Sequence, residues 1–139
     1  MRRLLGHLPE AAFVAVLAFG LGLIAFAPPS SASDRVEIGM RFSRYEPSMV
    51  SVPAGWPVLF VLRNDDPIDH EWMIGDEAMH ERHRTGTEPY HASVPTEVTV
   101  PALSTVETIV FFDEPVTLRY VCHLPGHEAY GMVGVLTAR

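Results

Sequence analysis

The sequence contains no lysine and a single cysteine among its 139 residues. Its positive charge is therefore all arginine, and two of the ten arginines stand at Arg2 and Arg3. Beyond residue 33 the chain holds 8 Arg against 16 Asp and Glu, a net charge of about −8 by formal counting. Such an acidic domain is a poor match for nucleic acid, whose phosphates repel it, and a better one for a basic partner. There is no glycine-rich phosphate loop, no Ser-His-Asp order for hydrolysis, no internal repeat and no low-complexity linker. Asp65, Asp66 and Asp69 flank a turn, but no EF-hand spacing follows them. They read as a solvated acidic turn rather than a calcium site.

The first third differs from the rest. Arg2 and Arg3 precede a charge-free run, AAFVAVLAFGLGLIAFA, from Ala11 to Ala27. Pro28, Pro29 and the small residues Ser30 to Ser33 follow. A basic start, an apolar middle and a small-residue exit form a secretory leader, with cleavage after Ala32 or Ser33. A retained membrane anchor is the alternative, because 17 apolar residues lie at the short end of a bilayer span. The expected organisation is a leader helix over 1–33 and one domain over 34–139, placed in the periplasm or another extracytoplasmic space. That setting makes the lone Cys122 unusual, since exported cysteines generally pair.

The mature region reads as an all-β chain. Val36, Ile38, Met40 and Phe42 alternate with Glu37, Gly39 and Arg41, the period of a half-buried strand. Further strands are expected over Met49 to Val52, Val58 to Arg63, His70 to Ile74, Glu97 to Val100, Thr105 to Phe112, Val116 to Cys122 and Val133 to Thr137. Pro and Gly punctuate the joins, which favours a sandwich or small barrel. Trp56, Phe60, Trp72, Phe111 and Phe112 are expected in its core. The polar stretch from Asp76 to Pro95 is expected to be a surface excursion, with a short helix over Asp76 to Arg84.

The chemistry is concentrated near the C-terminus, where Cys122-x4-His127-x4-Met132 supplies a thiolate, an imidazole and a thioether. These are the donor types of a blue-copper site. The alternation of Val116, Leu118 and Tyr120 carries Cys122 to the inward face, and Leu124-Pro125-Gly126 turns the chain back. His70, with Trp72 and Ile74 on its face, is the candidate second imidazole. The expected site is therefore one copper ion held by His70, Cys122, His127 and Met132. No convincing open metal position for a substrate is offered, so a carrier rather than an enzyme is expected.

With these residues in place, the chain resembles the cupredoxins, the family of plastocyanin, azurin and rusticyanin. PSMVSVPAGWPVLFVLRN over Pro47 to Asn64 is similar to the family's early strand pair. Asp69 to Ile74 is similar to the segment bearing the first His ligand. The Cys122 to Met132 loop has the spacing of rusticyanin-like and sulfocyanin-like members. The resemblance spans about Val36 to Leu136 and implies a Greek-key β-sandwich and electron-transfer activity. It also implies that His127 lies nearest the surface, and that a cytochrome, oxidase or copper reductase is a transient partner of a monomeric carrier. The alternative is a copper carrier or resistance protein that stores or delivers the ion.

One departure is evident. Many members place Asn or Ser after the first His, and here the residue is Glu71. Alternation points Glu71 away from His70, with an axial-ligand role as the alternative. His123 is expected at the surface beside the copper. His80, His83 and His91 are read as ordinary histidines of a solvated loop, with a weaker copper or zinc site as the alternative.

Overall fold

The computed structural model describes residues 34–86 and 94–139. The expected leader and His91 lie outside the described residues. Among the described residues, nine strands and one helix follow in the order β1 (Asp34–Met40), β2 (Tyr45–Glu46), β3 (Met49–Val52), β4 (Pro57–Asn64), β5 (His70–Gly75), α1 (Glu77–Thr85), β6 (Glu97–Val100), β7 (Thr105–Phe111), β8 (Val116–Val121) and β9 (Val133–Ala138). They form two sheets, ordered β2-β1-β4-β7 and β3-β9-β8-β5-β6. The pairs β1·β4 and β3·β9 are parallel and the rest antiparallel. This is the expected Greek-key sandwich. Among the described residues, no helix is long and apolar enough to cross a membrane.

The alternating residues of the facing strands meet between the sheets. Ile38, Met40, Val58, Phe60 and Leu62 come from one sheet, and Trp72, Ile74, Tyr120 and Leu136 from the other. Ring contacts tie the two layers: Phe60 and Trp72 lie 5.0 Å apart between centroids, and Tyr45 meets Tyr120 edge-on at 5.0 Å. Burial of each such side chain contributes about 1.5–3 kcal/mol, and paired rings add to it. The Tyr120 hydroxyl donates to the Pro47 carbonyl at 2.7 Å, so its polar tip is satisfied.

Two of the expected core aromatics, and the last residue of the first expected strand, fall outside the core. Phe42 is 77% exposed, because β1 ends at Met40 and residues 41–44 turn. Trp56 and Phe111 are also exposed. Trp56 sits in the turn before β4, and Phe111 lies opposite Pro57 on the outer face of its sheet, where alternation directs it. In β9 the inward residues are Gly134, Leu136 and Ala138, not Val133 and Val135. The close approach of Tyr120 explains this register: a Cβ on Gly134 would run into its ring.

The helix covers the face of β5 that the sandwich leaves open. Every residue of β5 is buried, because the core takes one face and α1 the other. Asp76 starts the helix by accepting from the Met79 amide at 2.7 Å, and Gly86, at φ 65°, ends it in the left-handed region. Arg84 clips it to the loop after β8 through two bonds to Glu128, at 3.0 and 2.9 Å. That contact holds the Glu128 carboxyl down at about 2. The polar stretch is thus in part a structural lid rather than a free excursion.

Candidate metal centre

Three of the four expected donors converge at one end of the sandwich. His70 opens β5, Cys122 follows β8, and His127 stands in the loop that leads to β9. One donor atom from each lies within 4.8 Å of the others. The Cys122 Sγ is 3.2 Å from His127 Nδ1, which is 3.3 Å from His70 Nδ1. His70, Cys122 and Met132 are fully buried, and His127 is partly exposed.

The loop is closed by its own backbone. The Cys122 amide donates to the Met132 carbonyl at 3.1 Å, and the Met132 amide to the His127 carbonyl at 2.9 Å. The His127 amide donates to the Leu124 carbonyl at 3.0 Å. Gly126, at φ 88°, and Gly131, at φ 90°, supply the two left-handed residues that this tight path requires. Met132 is thereby fixed beside Cys122 at the mouth of the β8–β9 pair.

Asp66 is a residue beside the site that the sequence reading placed wrongly. It is 7% exposed rather than part of a solvated turn. Its carboxylate accepts from the Phe42 and Ser43 amides, both at 2.8 Å, and lies 2.8 Å from His70 Nε2. Burial pushes its carboxyl up, but the Ser43, His70 and Phe42 bonds together bring it below its ordinary value. A carboxylate only accepts, so His70 donates from Nε2 and keeps the Nδ1 lone pair for a metal. Phe42 (φ 54°) and Ser43 (φ 51°) adopt the left-handed conformation that aims both amides at Asp66. Asn64 holds the intervening loop, donating to the Ile68 carbonyl at 2.8 Å and accepting from the Asp66 amide at 2.9 Å.

Glu71 ties the two donor segments together. Its amide donates to Cys122 Sγ at 3.4 Å, and its carboxylate accepts from the His123 amide at 3.2 Å. The carboxylate also lies 3.1 Å from His83 Nε2, on the helix side of β5. Alternation had pointed it away from His70, and that is where it is.

His80, His83 and His123 correct the expectation of solvated side chains. His80 is fully buried, and the side chains of His83 and His123 are 5% and 4% exposed. His80 Nδ1 is 2.9 Å from His123 Nε2, and the His83 and His123 rings are 4.8 Å apart. Burial, reinforced by His83 and His80, pushes His123 down to about 4 against the pull of Glu128. The only sequence signal was the three-residue spacing of His80 and His83, which puts both on one helix face.

The donor set fits copper. A buried thiol is pushed up by burial, although the Glu71 and Leu124 amides pull it down. Burial, aided by His70, pushes the His127 imidazole down, which keeps its lone pair available. One soft sulfur and two neutral imidazoles suit both copper oxidation states.

Residues 33–139 match a family described as copper binding proteins, plastocyanin/azurin family. The copper-resistant cuproprotein CopI of Pseudomonas aeruginosa is 28% identical over 150 aligned positions, covering 83% of each chain. Its namesake from Rubrivivax gelatinosus is 32% identical over 100 positions, covering 69% of this chain and 60% of that one. Among solved structures, reduced auracyanin from Roseiflexus castenholzii superposes with a TM-score of 0.64 at 21% identity, covering 78% of this chain and 98% of the other. Auracyanin A from Chloroflexus aurantiacus gives 0.62 at 23%, covering 76% and 98%.

Proposed function

Because the chain belongs to the plastocyanin/azurin family of copper-binding proteins, we propose that it is an exported carrier of single electrons, with His70, Cys122, His127 and Met132 holding one copper ion. The observation that carries this reading is the convergence of His70, Cys122 and His127 donor atoms within 4.8 Å at a buried loop end. When bound, copper supplies a one-electron Cu(I)/Cu(II) couple.

The protein's own residues do the rest. Asp66 keeps His70 in the tautomer that presents Nδ1. The Glu71 amide donates to the Cys122 sulfur and draws off part of its negative charge. Anchors on β5, β8 and β9 hold the donors still, so little rearrangement accompanies a change of charge at the site. Of the four, His127 alone is more than slightly exposed, and it offers the electron a short path to a docked partner. Leu124, Pro125 and Gly126 beside it form a small apolar rim suited to transient contact. The acidic surface steers a basic partner towards it, whether cytochrome, oxidase or copper reductase.

The loop spacing supports a finer kinship with rusticyanin-like and sulfocyanin-like members. Residues 1–33 are proposed as the export leader or anchor, and 34–139 as the mature, monomeric domain. The two relatives named copper-resistant cuproproteins favour a second reading, a protein that stores or delivers copper. An optical and EPR titration of the protein with Cu(II) separates these possibilities. A carrier of electrons gives an intense band that saturates at one copper per chain and survives repeated reduction and oxidation. Copper lost on each reduction would move the delivery reading to the front, and a weak, colourless response would remove the thiolate site altogether.

A further inference from the structure

A second group of donors lies under α1, outside the copper donor set, and its chemistry is different. Glu71 on β5, Glu97 on β6 and His83 on α1 each turn one donor atom towards the others, all within 4.8 Å. Their side chains are 5% exposed or less. His83 Nε2 is 3.1 Å from Glu71, and its Nδ1 is 3.8 Å from Glu97.

The fold fixes all three positions. In the β5·β6 pair Glu71 lies opposite Thr99 and Met73 opposite Glu97. The two carboxylates are therefore diagonal neighbours on one face of the sheet. The same face receives α1, whose start is capped by Asp76. Met79 sets the helix close to β5: a Cβ on Gly75 would meet its side chain at 3.0 Å.

Two carboxylates and one imidazole, without sulfur, are donors that suit a divalent first-row cation rather than Cu(I). Three protein donors leave a further position for water. A divalent ion there would add to the compensation that His83 already gives both buried carboxylates. We infer that Glu71, His83 and Glu97 form a second, sulfur-free site for a divalent cation of the Zn2+ type, separate from the copper site.

The test is a calorimetric titration with Zn2+ of the copper-loaded protein, reduced to Cu(I) so that the thiolate site is filled. The visible band of the oxidised protein is recorded first, so a failure of the copper reading is seen before any zinc is added. The expected result is one Zn2+ per chain beyond the copper. His83→Ala and Glu97→Gln should each weaken it at least tenfold while the visible band is kept. Glu97→Gln is isosteric and lies on a strand, so it reads the ligand role without disturbing the helix. No uptake below millimolar Zn2+ overturns the inference, and so does equal uptake by both variants, which would place the ion elsewhere. The dependence on His83 and Glu97 is read whether or not the copper band appears.

Discussion

The two faces of β5 carry donors of opposite character. On the core side His70 meets a thiol and a second imidazole; on the helix side Glu71 meets His83 and Glu97. The two clusters are one residue apart in sequence at His70/Glu71. Strand alternation alone sorts them, since successive side chains leave opposite faces. The core side brings together the Cys122 sulfur, two imidazoles and, through its bond to His70, the Asp66 carboxylate. The helix side brings together His83 and the Glu71 and Glu97 carboxylates, without sulfur. Each cluster is also held differently. The first depends on a short backbone-bonded loop and the Asp66 carboxylate, the second on a nine-residue helix pinned at Asp76, Gly86 and Arg84.

Substitutions that strike one face should leave the other standing. Cys122→Ser should have the largest effect, abolishing the intense visible band after Cu(II) loading while the circular dichroism of the sandwich is kept. A fully coloured variant would refute the site. Asp66→Ala removes the group that orients His70, and copper affinity should fall by about 10–100-fold, measured by competition with a chelator of known affinity. Unchanged affinity would mean that the Asp66 contact is incidental.

Glu71→Ala touches both faces. It leaves the partly buried His123 amide without its carboxylate and should cost about 1 kcal/mol in urea unfolding. Glu71→Gln keeps an acceptor oxygen and should cost less; equal losses would show that the charge, not the bond to His123, matters. Asp76→Ala removes the cap of α1 and should cost about 1 kcal/mol with the copper band unmoved. A shifted band would mean that the helix side is coupled to the metal more tightly than the alternation implies. The smallest change is expected for Met132→Leu, which should keep the colour and raise the reduction potential by loss of a weak donor, read by voltammetry.

The donor loop was legible because its three residue types fall within 11 consecutive positions, Cys122 to Met132, and because strand alternation fixes the direction of Cys122. Most strand positions were legible for the same local reason. The two-residue β2 was missed because so short a strand has no period. Asp66 was misread because its partners are contributed by the turn at Phe42 and Ser43, more than twenty residues away. His80, His83 and His123 were misread because polar residues look solvated until a helix is known to lie on a sheet.

By itself, then, the sequence determined the period-two pattern that builds the sandwich, the soft donor set and the inward face on which His70 and Cys122 sit. These depend on residue type and spacing along a few neighbouring positions. Only the tertiary structure decided that Asp66 orients His70, that Glu71 binds the two donor segments through His123, and that α1 brings His83 onto Glu71 and Glu97. Those features depend on which distant strands pair and at what register. Small differences of packing energy, summed over the whole core, select that register, and no local stretch of the chain contains it.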